Sequence, residues 1–214
     1  MTQISQAVQV NRRSFVVAAA AAAGGGLALG LNIPFGGPKA ALAQGATPEI
    51  PAWVVIKPDD TVVIRVARSE MGQGSITGLC QLVAEELECD WSKVKTEYPT
   101  PGQNLARDRV WGSFSTGGSQ GIRGSHDYVR KGGAVARQML IEAAAENWKV
   151  PMNECSAASS VITHKLSGRT TTYGKVAAAA AKLIPPEDVA LKDPKDWKLI
   201  GKPVKRLDTV EKTT

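Results

Sequence analysis

The order of strand-like and helix-like apolar patterns constrains the fold of this chain more than any other feature of its sequence. Two β-branched runs, 53–57 and 61–66, flank a Pro-Asp-Asp turn and predict an antiparallel hairpin. From Ser75 to Cys89 apolar residues recur every three or four positions, which predicts an amphipathic helix. Residues 94–98 then alternate in the manner of a strand.

The second half of the chain carries a second helix, a second hairpin and a short helix. An apolar stripe from Val129 to Ala143 predicts the helix, 161–172 predicts the hairpin, and the Ala-rich stretch 173–183 predicts the short helix. This order differs from the alternation of a parallel βαβ fold. We therefore predict an α+β domain in which two β-hairpins and an extra strand pack with two longer helices and one short helix.

The N-terminus predicts export. Arg12 and Arg13 precede an apolar run from Val16 to Leu31, and Ala41-Leu42-Ala43 follows as a site for signal peptidase. Paired arginines of this kind are typical of the twin-arginine route to the periplasm. The alternative is a retained membrane anchor, but the run is interrupted by glycines and falls short of the roughly 20 apolar residues that a span needs.

The whole chain divides into three segments by composition. We predict a signal peptide over 1–43, one folded module over 44–186 and a charged, Pro-broken linker over 187–214, which leads towards a further domain. The formal charge of +6 includes three cations and no acid of the leader, so the mature part carries only +3. Its Lys and Arg residues are interspersed with acids, which argues against a nucleic-acid partner.

The three cysteines predict neither a disulfide framework nor an iron–sulfur cluster. Cys80 and Cys89 fall on one predicted helix, where nine residues of rise separate them by about 13 Å. No CxxC pattern occurs, and a cluster needs about four thiolates at short spacing. His126 and His164 have no second ligand at metal spacing, so we predict no metal ligand.

Two glycine-rich segments precede the two longer helices. The first glycine loop is Met71–Gly74, and the second is Gly112–Gly121. Such loops can turn backbone N–H groups and a positive helix end towards an anion such as a phosphate. The alternative is two ordinary turns. Gly72, Gly74 and Gly78 come close to the GxGxxG fingerprint of dinucleotide-binding proteins, but one residue too many precedes Gly78.

Longer motifs carry a resemblance to a known family. Ser69–Gly74, followed by 83–94, resembles the cofactor-binding segment of the xanthine dehydrogenase and aldehyde oxidase family of molybdenum hydroxylases. It is most similar to the large (beta) subunits of the isoquinoline 1-oxidoreductase and membrane-bound aldehyde dehydrogenase type. Further matching segments are 115–119, 130–148, 167–169, 173–174, 192–196 and 201–208.

The resemblance implies a molybdenum ion on a pterin dithiolene, in the cytosine dinucleotide form. The residues expected to contact this cofactor are Gly72, Gln73 and Gly74 in the first loop, and Gly112, Ser113, Phe114 and Ser115 in the second. The family hydroxylates a carbon of an N-heterocycle or oxidises an aldehyde, with oxygen from water. Its general-base glutamate is expected beyond residue 214, so no catalytic residue is assigned in this chain.

The resemblance also implies partners. These are the remainder of the large subunit, a small [2Fe-2S] subunit that carries the iron–sulfur clusters, and a membrane cytochrome as electron acceptor. We interpret Glu85, Glu86, Glu88 and Glu142 as surface charges of the predicted helices rather than as catalytic bases. Two alternatives stay open: an exported binding module without catalysis, and a remnant in which the glycine loops are only turns.

Overall fold

The computed structural model describes residues 49–50 and 52–214, and its main elements are two small sheets and two long helices, joined by shorter helices and loops. The predicted leader, including Arg12 and Arg13, lies outside the described residues. Within the described residues, no helix combines the length and the apolar character that crossing a membrane requires. The predicted α+β class is confirmed.

The first sheet contains four strands, in the order β1-β2-β3-β4. They are β1 (Glu49–Ile50), β2 (Val54–Ile56), β3 (Val62–Arg65) and β4 (Val94–Glu97). The predicted hairpin is β2–β3, and its strands are antiparallel with Val55 opposite Val63. β4 lies parallel to β3, with Val62 opposite Val94. The sequence predicted both strands but not their parallel pairing, because pairing across an intervening helix leaves no local pattern.

The second sheet contains three antiparallel strands. They are β5 (Cys155–Ala158), β6 (Val161–His164) and β7 (Thr170–Thr172). The predicted second hairpin is β6–β7. β5 was not predicted, because Cys-Ser-Ala-Ala has little β-branched or aromatic character and its strand conformation depends on pairing with β6.

The helices differ from the prediction in number. α1 (Ser75–Leu87), α3 (His126–Trp148) and α4 (Tyr173–Ala180) are the three predicted ones. Two further short helices are α2 (Pro101–Leu105) and α5 (Thr209–Thr213). α2 begins in a stretch that reads as a loop, where Thr100 and Gln103 cap its first turn reciprocally.

α1 packs directly against α3 at the centre of the core. At Gly133 of α3 an added Cβ would lie 2.4 Å from the carbonyl oxygen of Val83 in α1. The two backbones can approach this closely only because glycine has no side chain. Around this contact the core includes Leu87, Leu140, Ile162 and Tyr173, none of which is exposed.

The predicted linker packs against α1. We call residues 192–208 the strap. Its backbone amides at 198, 199 and 200 donate to Oε2 of Glu85 at 2.9, 2.6 and 3.1 Å, and the amide of Lys192 donates to both oxygens of Glu86. Glu85 is 2% exposed and Glu86 is fully buried, so the interpretation of these two residues as surface charges is wrong. The domain boundaries themselves stay a prediction.

Candidate functional site

The first glycine loop joins β3 to α1. Gly72 has φ +100° and Gly74 has φ +83°, a region of backbone conformation that L side chains rarely adopt. A Cβ added at either glycine would meet nothing within 4 Å. Both positions therefore need glycine for backbone conformation rather than for close packing within the chain.

The side-chain carboxylate of Glu70 lies at the amino end of α1. Its Oε1 accepts from the amides of Gly72 and Gly74, both at 2.8 Å, and its Oε2 accepts from the amide of Ile76 at 3.0 Å. The glycine-rich sequence predicts that the loop amides face an external anion, whereas in the structure they donate to a carboxylate of the chain itself. Nothing in the sequence motif alone distinguishes these two arrangements.

The hydrogen bonds at Glu70 keep its carboxylate ionised. Burial is the largest single influence and by itself favours the neutral acid, but the three amides and Arg206 together outweigh it. The net effect lowers the pKa of Glu70 below its ordinary value. The loop is thus organised around a negative charge before any ligand binds.

The side chain of Gln73 stabilises the same loop through hydrogen bonds. Its Oε1 accepts from the amide of Met71 at 2.5 Å, and its Nε2 donates to the carbonyl of Ser69 at 3.0 Å and to Oγ of Ser75 at 2.6 Å. Both amide hydrogens are therefore engaged, while the oxygen retains one acceptor position. A ligand that contacts Gln73 in this conformation must donate to that oxygen or contact the side chain edge.

Residues 68 and 69, which precede the first glycine loop, hold the second glycine loop beside it through hydrogen bonds. Thr116 Oγ1 donates to the carbonyl of Ser69 at 2.7 Å, and Ser69 Oγ donates to the carbonyl of Phe114 at 2.9 Å. Arg68, which is 9% exposed, donates from Nη1 to the carbonyl of Ser115 and from Nε to Oγ of Ser125. The role of Arg68 was not predicted from the sequence, because nothing around it indicates that an arginine next to a strand is buried.

A cavity of about 440 Å³ lies between the two loops. We call it the loop cavity. One wall consists of Met71, Gln73, Gly74, Ser75 and Gly78, and the other consists of residues 116, 117 and 119–122. Its volume falls within the range of small-molecule sites, about 300–1,000 Å³.

The loop cavity contains only some of the residues predicted to bind the cofactor. Gln73 and Gly74 line it, whereas Gly72 shapes the loop behind it. Gly112, Ser113, Phe114 and Ser115 do not line it. They lead into the wall that begins at Thr116, and the Ser113 and Ser115 hydroxyls bond each other at 2.8 Å.

The lining of the loop cavity is uncharged. Hydrogen-bonding side chains are supplied by Gln73, Ser75, Thr116, Ser119 and Gln120, and no Asp, Glu, Lys, Arg or His is among the lining residues. Neutral amides and hydroxyls suit a polar, flat heterocycle such as a pterin. At Gly117, which is one of the lining residues, an added Cβ would meet nothing within 4 Å.

The described residues supply no metal site of their own. They contain no group of three or more His, Cys, Asp or Glu residues placed to hold a metal ion. His126 bonds Asp127 at 2.9 Å, and His164 bonds Glu154 at 2.8 Å and Ser167 at 2.6 Å.

Comparison with known proteins identifies one family for this chain. The family described as "Molybdopterin cofactor-binding domain" matches residues 4–211. The beta subunit of isoquinoline 1-oxidoreductase from Brevundimonas diminuta is 33% identical over 192 residues, which is 84% of this chain and 23% of that protein. The membrane-bound aldehyde dehydrogenase [pyrroloquinoline-quinone] of Gluconacetobacter polyoxogenes is 29% identical over 225 aligned positions, 97% of this chain and 27% of that protein.

Among solved structures, the quinoline 2-oxidoreductase of Pseudomonas putida 86 aligns with a TM-score of 0.45 and 18% identity, over 64% of this chain and 17% of that one. The chain spans about a quarter of the length of the curated relatives it matches.

Proposed function

Because the chain belongs to the family of molybdopterin cofactor-binding domains, we propose that its loop cavity forms one wall of a molybdopterin site. The family match confirms the resemblance read from the Met-Gly-Gln-Gly and Ser-Thr-Gly-Gly-Ser motifs. The observation that carries the proposal is the cavity itself, in which residues of both motifs face each other across an uncharged, hydrogen-bonding space.

Residues of the two walls would hold the pterin. The free acceptor position of Gln73, the Ser75 hydroxyl and the hydroxyl or amide groups of Thr116, Ser119 and Gln120 can bond its polar edge. Gly74 and Gly117 leave the backbone open to a flat ring, and Gly72 gives the loop its shape. We propose that Gly112, Ser113, Phe114 and Ser115 support this wall. When bound, the cofactor supplies the molybdenum centre at which a substrate is oxidised.

We propose further that this chain is part of a larger oxidoreductase. The relatives' names support an activity on an N-heterocycle or an aldehyde. We propose water as the oxygen source, as the family resemblance implies. The proposal includes the cytosine dinucleotide form of the cofactor, the remainder of a large subunit, a small [2Fe-2S] subunit and a membrane cytochrome. Arg12 and Arg13 support delivery to the periplasm by the twin-arginine route.

The experiment compares two glycine-to-alanine variants of the full chain, produced together with its partner subunits. Gly117→Ala places a methyl group where the chain itself has open space and no positive φ. Gly102→Ala, in α2, is the matched control, since its Cβ would make only an ordinary contact with Thr100 at 3.9 Å. Molybdenum is measured by elemental analysis and pterin by the fluorescence of its oxidised form.

We expect Gly117→Ala to lose most of its bound molybdenum and pterin while its thermal midpoint stays that of the control. Neither strain nor a clash within the chain can cause that loss, so it reports a ligand against this wall. Equal cofactor content in both variants would refute the proposal. A quinone spectrum without molybdenum would also refute it and would favour the cofactor that the Gluconacetobacter relative's name contains.

A further inference from the structure

The strap reaches the first glycine loop at Arg206. Its Nη1 donates to the carbonyl of Gly72 at 2.8 Å, and its Nη2 lies 3.4 Å from Oε1 of Glu70. Arg206 does not line the loop cavity, but Met71, Gln73 and Gly74 of the loop that it contacts do. Arg206 therefore contacts the first glycine loop through residues that do not line the loop cavity.

We propose that Arg206 is a positioning residue, which holds the Met71–Gly74 loop in its cavity-lining conformation through Gly72 and Glu70. Where it concerns the cofactor, this inference rests on the proposed function. The statement about the loop does not, because the contacts belong to the chain alone. Neither the loop motif nor the family resemblance assigns a role to this arginine.

The charge of Glu70 explains why a cation is needed at the back of the loop. Its side chain is only 4% exposed, and three backbone amides are its other partners. Amides bond the carboxylate but do not neutralise it, and an ionised group that is removed from water is stabilised by an opposite charge nearby. Among the described residues, Arg206 is the cation within 4 Å of this carboxylate.

Arg206 is itself held in place. Asp208 accepts from its Nε at 3.0 Å and from its Nη2 at 2.8 Å, a two-point pair that fixes the plane of the guanidinium. Lys212 also contacts Asp208, and the amide of Leu207 donates to Oγ1 of Thr77 in α1 at 3.1 Å. The fork geometry, and not charge alone, thus aims the arginine at Gly72.

The test compares three variants of the full chain. Arg206→Leu removes the charge and the fork, and Arg206→Lys keeps only the charge. Lys205→Leu is the control, since Lys205 is an exposed neighbour in the same strap and makes no ion pair among the described residues. Amide hydrogen exchange is followed by NMR at Gly72, Gly74 and Ile76, with Leu140 in α3 as the reference for global stability.

We expect the three loop amides to exchange at least about 10-fold faster in Arg206→Leu, with Leu140 unchanged, because the loop opens locally while the core stays folded. Arg206→Lys should give an intermediate rate, and Lys205→Leu the wild-type rate. Equal exchange at the loop amides in Arg206→Leu and Lys205→Leu would overturn the inference.

A pH profile provides a readout that a merely structural role would not change. Besides Arg206, the titratable or charged groups around Glu70 are Tyr98, Lys95, Asp208, Glu211 and Lys212. Without Arg206 the protonation of Glu70, and with it the loosening of the loop in acid, should begin at a higher pH than in the wild type. An unchanged profile would count against the positioning role.

Cofactor content separates this inference from the proposed function. If Gly117→Ala loses molybdenum while Arg206→Leu loosens the loop and keeps its full content, the proposed function stands and Arg206 still holds the loop, but the claim that this hold serves cofactor binding fails. If neither variant changes cofactor content, the proposed function fails, and amide exchange alone decides whether Arg206 holds the loop. Loss of molybdenum in both variants, with faster exchange only in Arg206→Leu, supports both.

Discussion

Glu86 is a fully buried carboxylate whose partners come from two other parts of the chain. Arg130 of α3 donates to its Oε1 from Nε at 2.9 Å and from Nη2 at 2.7 Å, and the amide of Lys192 bonds both oxygens. Arg130 also donates to the carbonyl of Lys192 and lies over the ring of Trp197 at 5.3 Å. One ion pair therefore joins α1, α3 and the strap.

Removing one member of this pair should be costly. Glu86→Gln keeps the shape but leaves the guanidinium of Arg130 buried without a counter-charge, which costs about 3–5 kcal/mol of unfolding free energy. Urea unfolding measures the loss. The control is Glu142→Gln on the more accessible side of α3, expected to change stability by less than about 0.5 kcal/mol.

The double variant Glu86→Met with Arg130→Met tests the reason for that cost. Its loss should be clearly smaller than the sum of the two single losses, because no unpaired charge remains buried. Additive losses would show that the two residues act independently, contrary to the contact described here.

At the scale of elements, the packing of α1 on α3 depends on a glycine. The Cβ of an alanine at Gly133 would lie 2.4 Å from the Val83 carbonyl oxygen and 3.1 Å from the Cβ of Glu86. The backbone of α1 fixes the positions of both atoms, so neither can move aside as the end of a flexible side chain could. The helices would have to separate to admit a methyl group.

Gly133→Ala should therefore lower the free energy of unfolding by about 1–3 kcal/mol, the usual cost of overpacking a core. Alanine favours a helix over glycine by about 1 kcal/mol, so propensity alone predicts the opposite sign. Gly102→Ala in α2 is the control, since it gains the propensity without the clash. A stabilised Gly133→Ala would mean that the two helices are further apart than the structure places them.

At the scale of the whole molecule, we expect the attachment of the strap to α1 to depend on pH, because buried Glu85 accepts hydrogen bonds from three strap amides. Burial is the largest single influence on this carboxylate and favours its neutral form. Hydrogen bonds from Lys192 and from the amides of Leu199 and Ile200 act against burial, and the pKa of Glu85 is lowered. Lys198, Glu86 and Glu88 are the other charged groups close by.

A lowered pKa fixes the sign of the pH effect. The folded protein binds the proton of Glu85 less readily than the unfolded chain does, so this group stabilises the strap above the ordinary pKa of glutamate, about 4.3. The stabilisation is lost as the pH falls through the lower pKa of the folded state. We expect the strap to detach from α1 in that acid range while the core remains folded.

Trp197 fluorescence during an acid titration measures this detachment, with Trp197→Phe to subtract the other tryptophans. In Glu85→Gln the carboxylate is absent at every pH, so the acid transition should disappear and the strap should be looser already at neutral pH. A transition with the same midpoint and amplitude in Glu85→Gln would assign it to another group.

The sequence by itself determined the elements whose patterns are local. The β2–β3 hairpin, α1, α3 and α4 follow from apolar spacing and turn residues, because burying one face of a strand or helix imposes that spacing on consecutive residues. The two glycine loops were likewise marked by composition, and the family followed from motifs within short segments.

Only the tertiary structure decided which residues contact each other across the fold. The parallel pairing of β4 and the docking of the strap depend on partners far away in sequence, and such pairing leaves no local pattern. The strand β5 pairs with the adjacent β6, but its Cys-Ser-Ala-Ala sequence carries no strand signal. Glu85 and Glu86 look like surface charges in a helical pattern, yet strap amides and Arg130 satisfy them in the interior. The sequence alone left the amides of Gly72 and Gly74 available to any anion. In the fold they donate to Glu70, because its carboxylate, two and four residues before them, reaches both amides once the loop turns at positive φ.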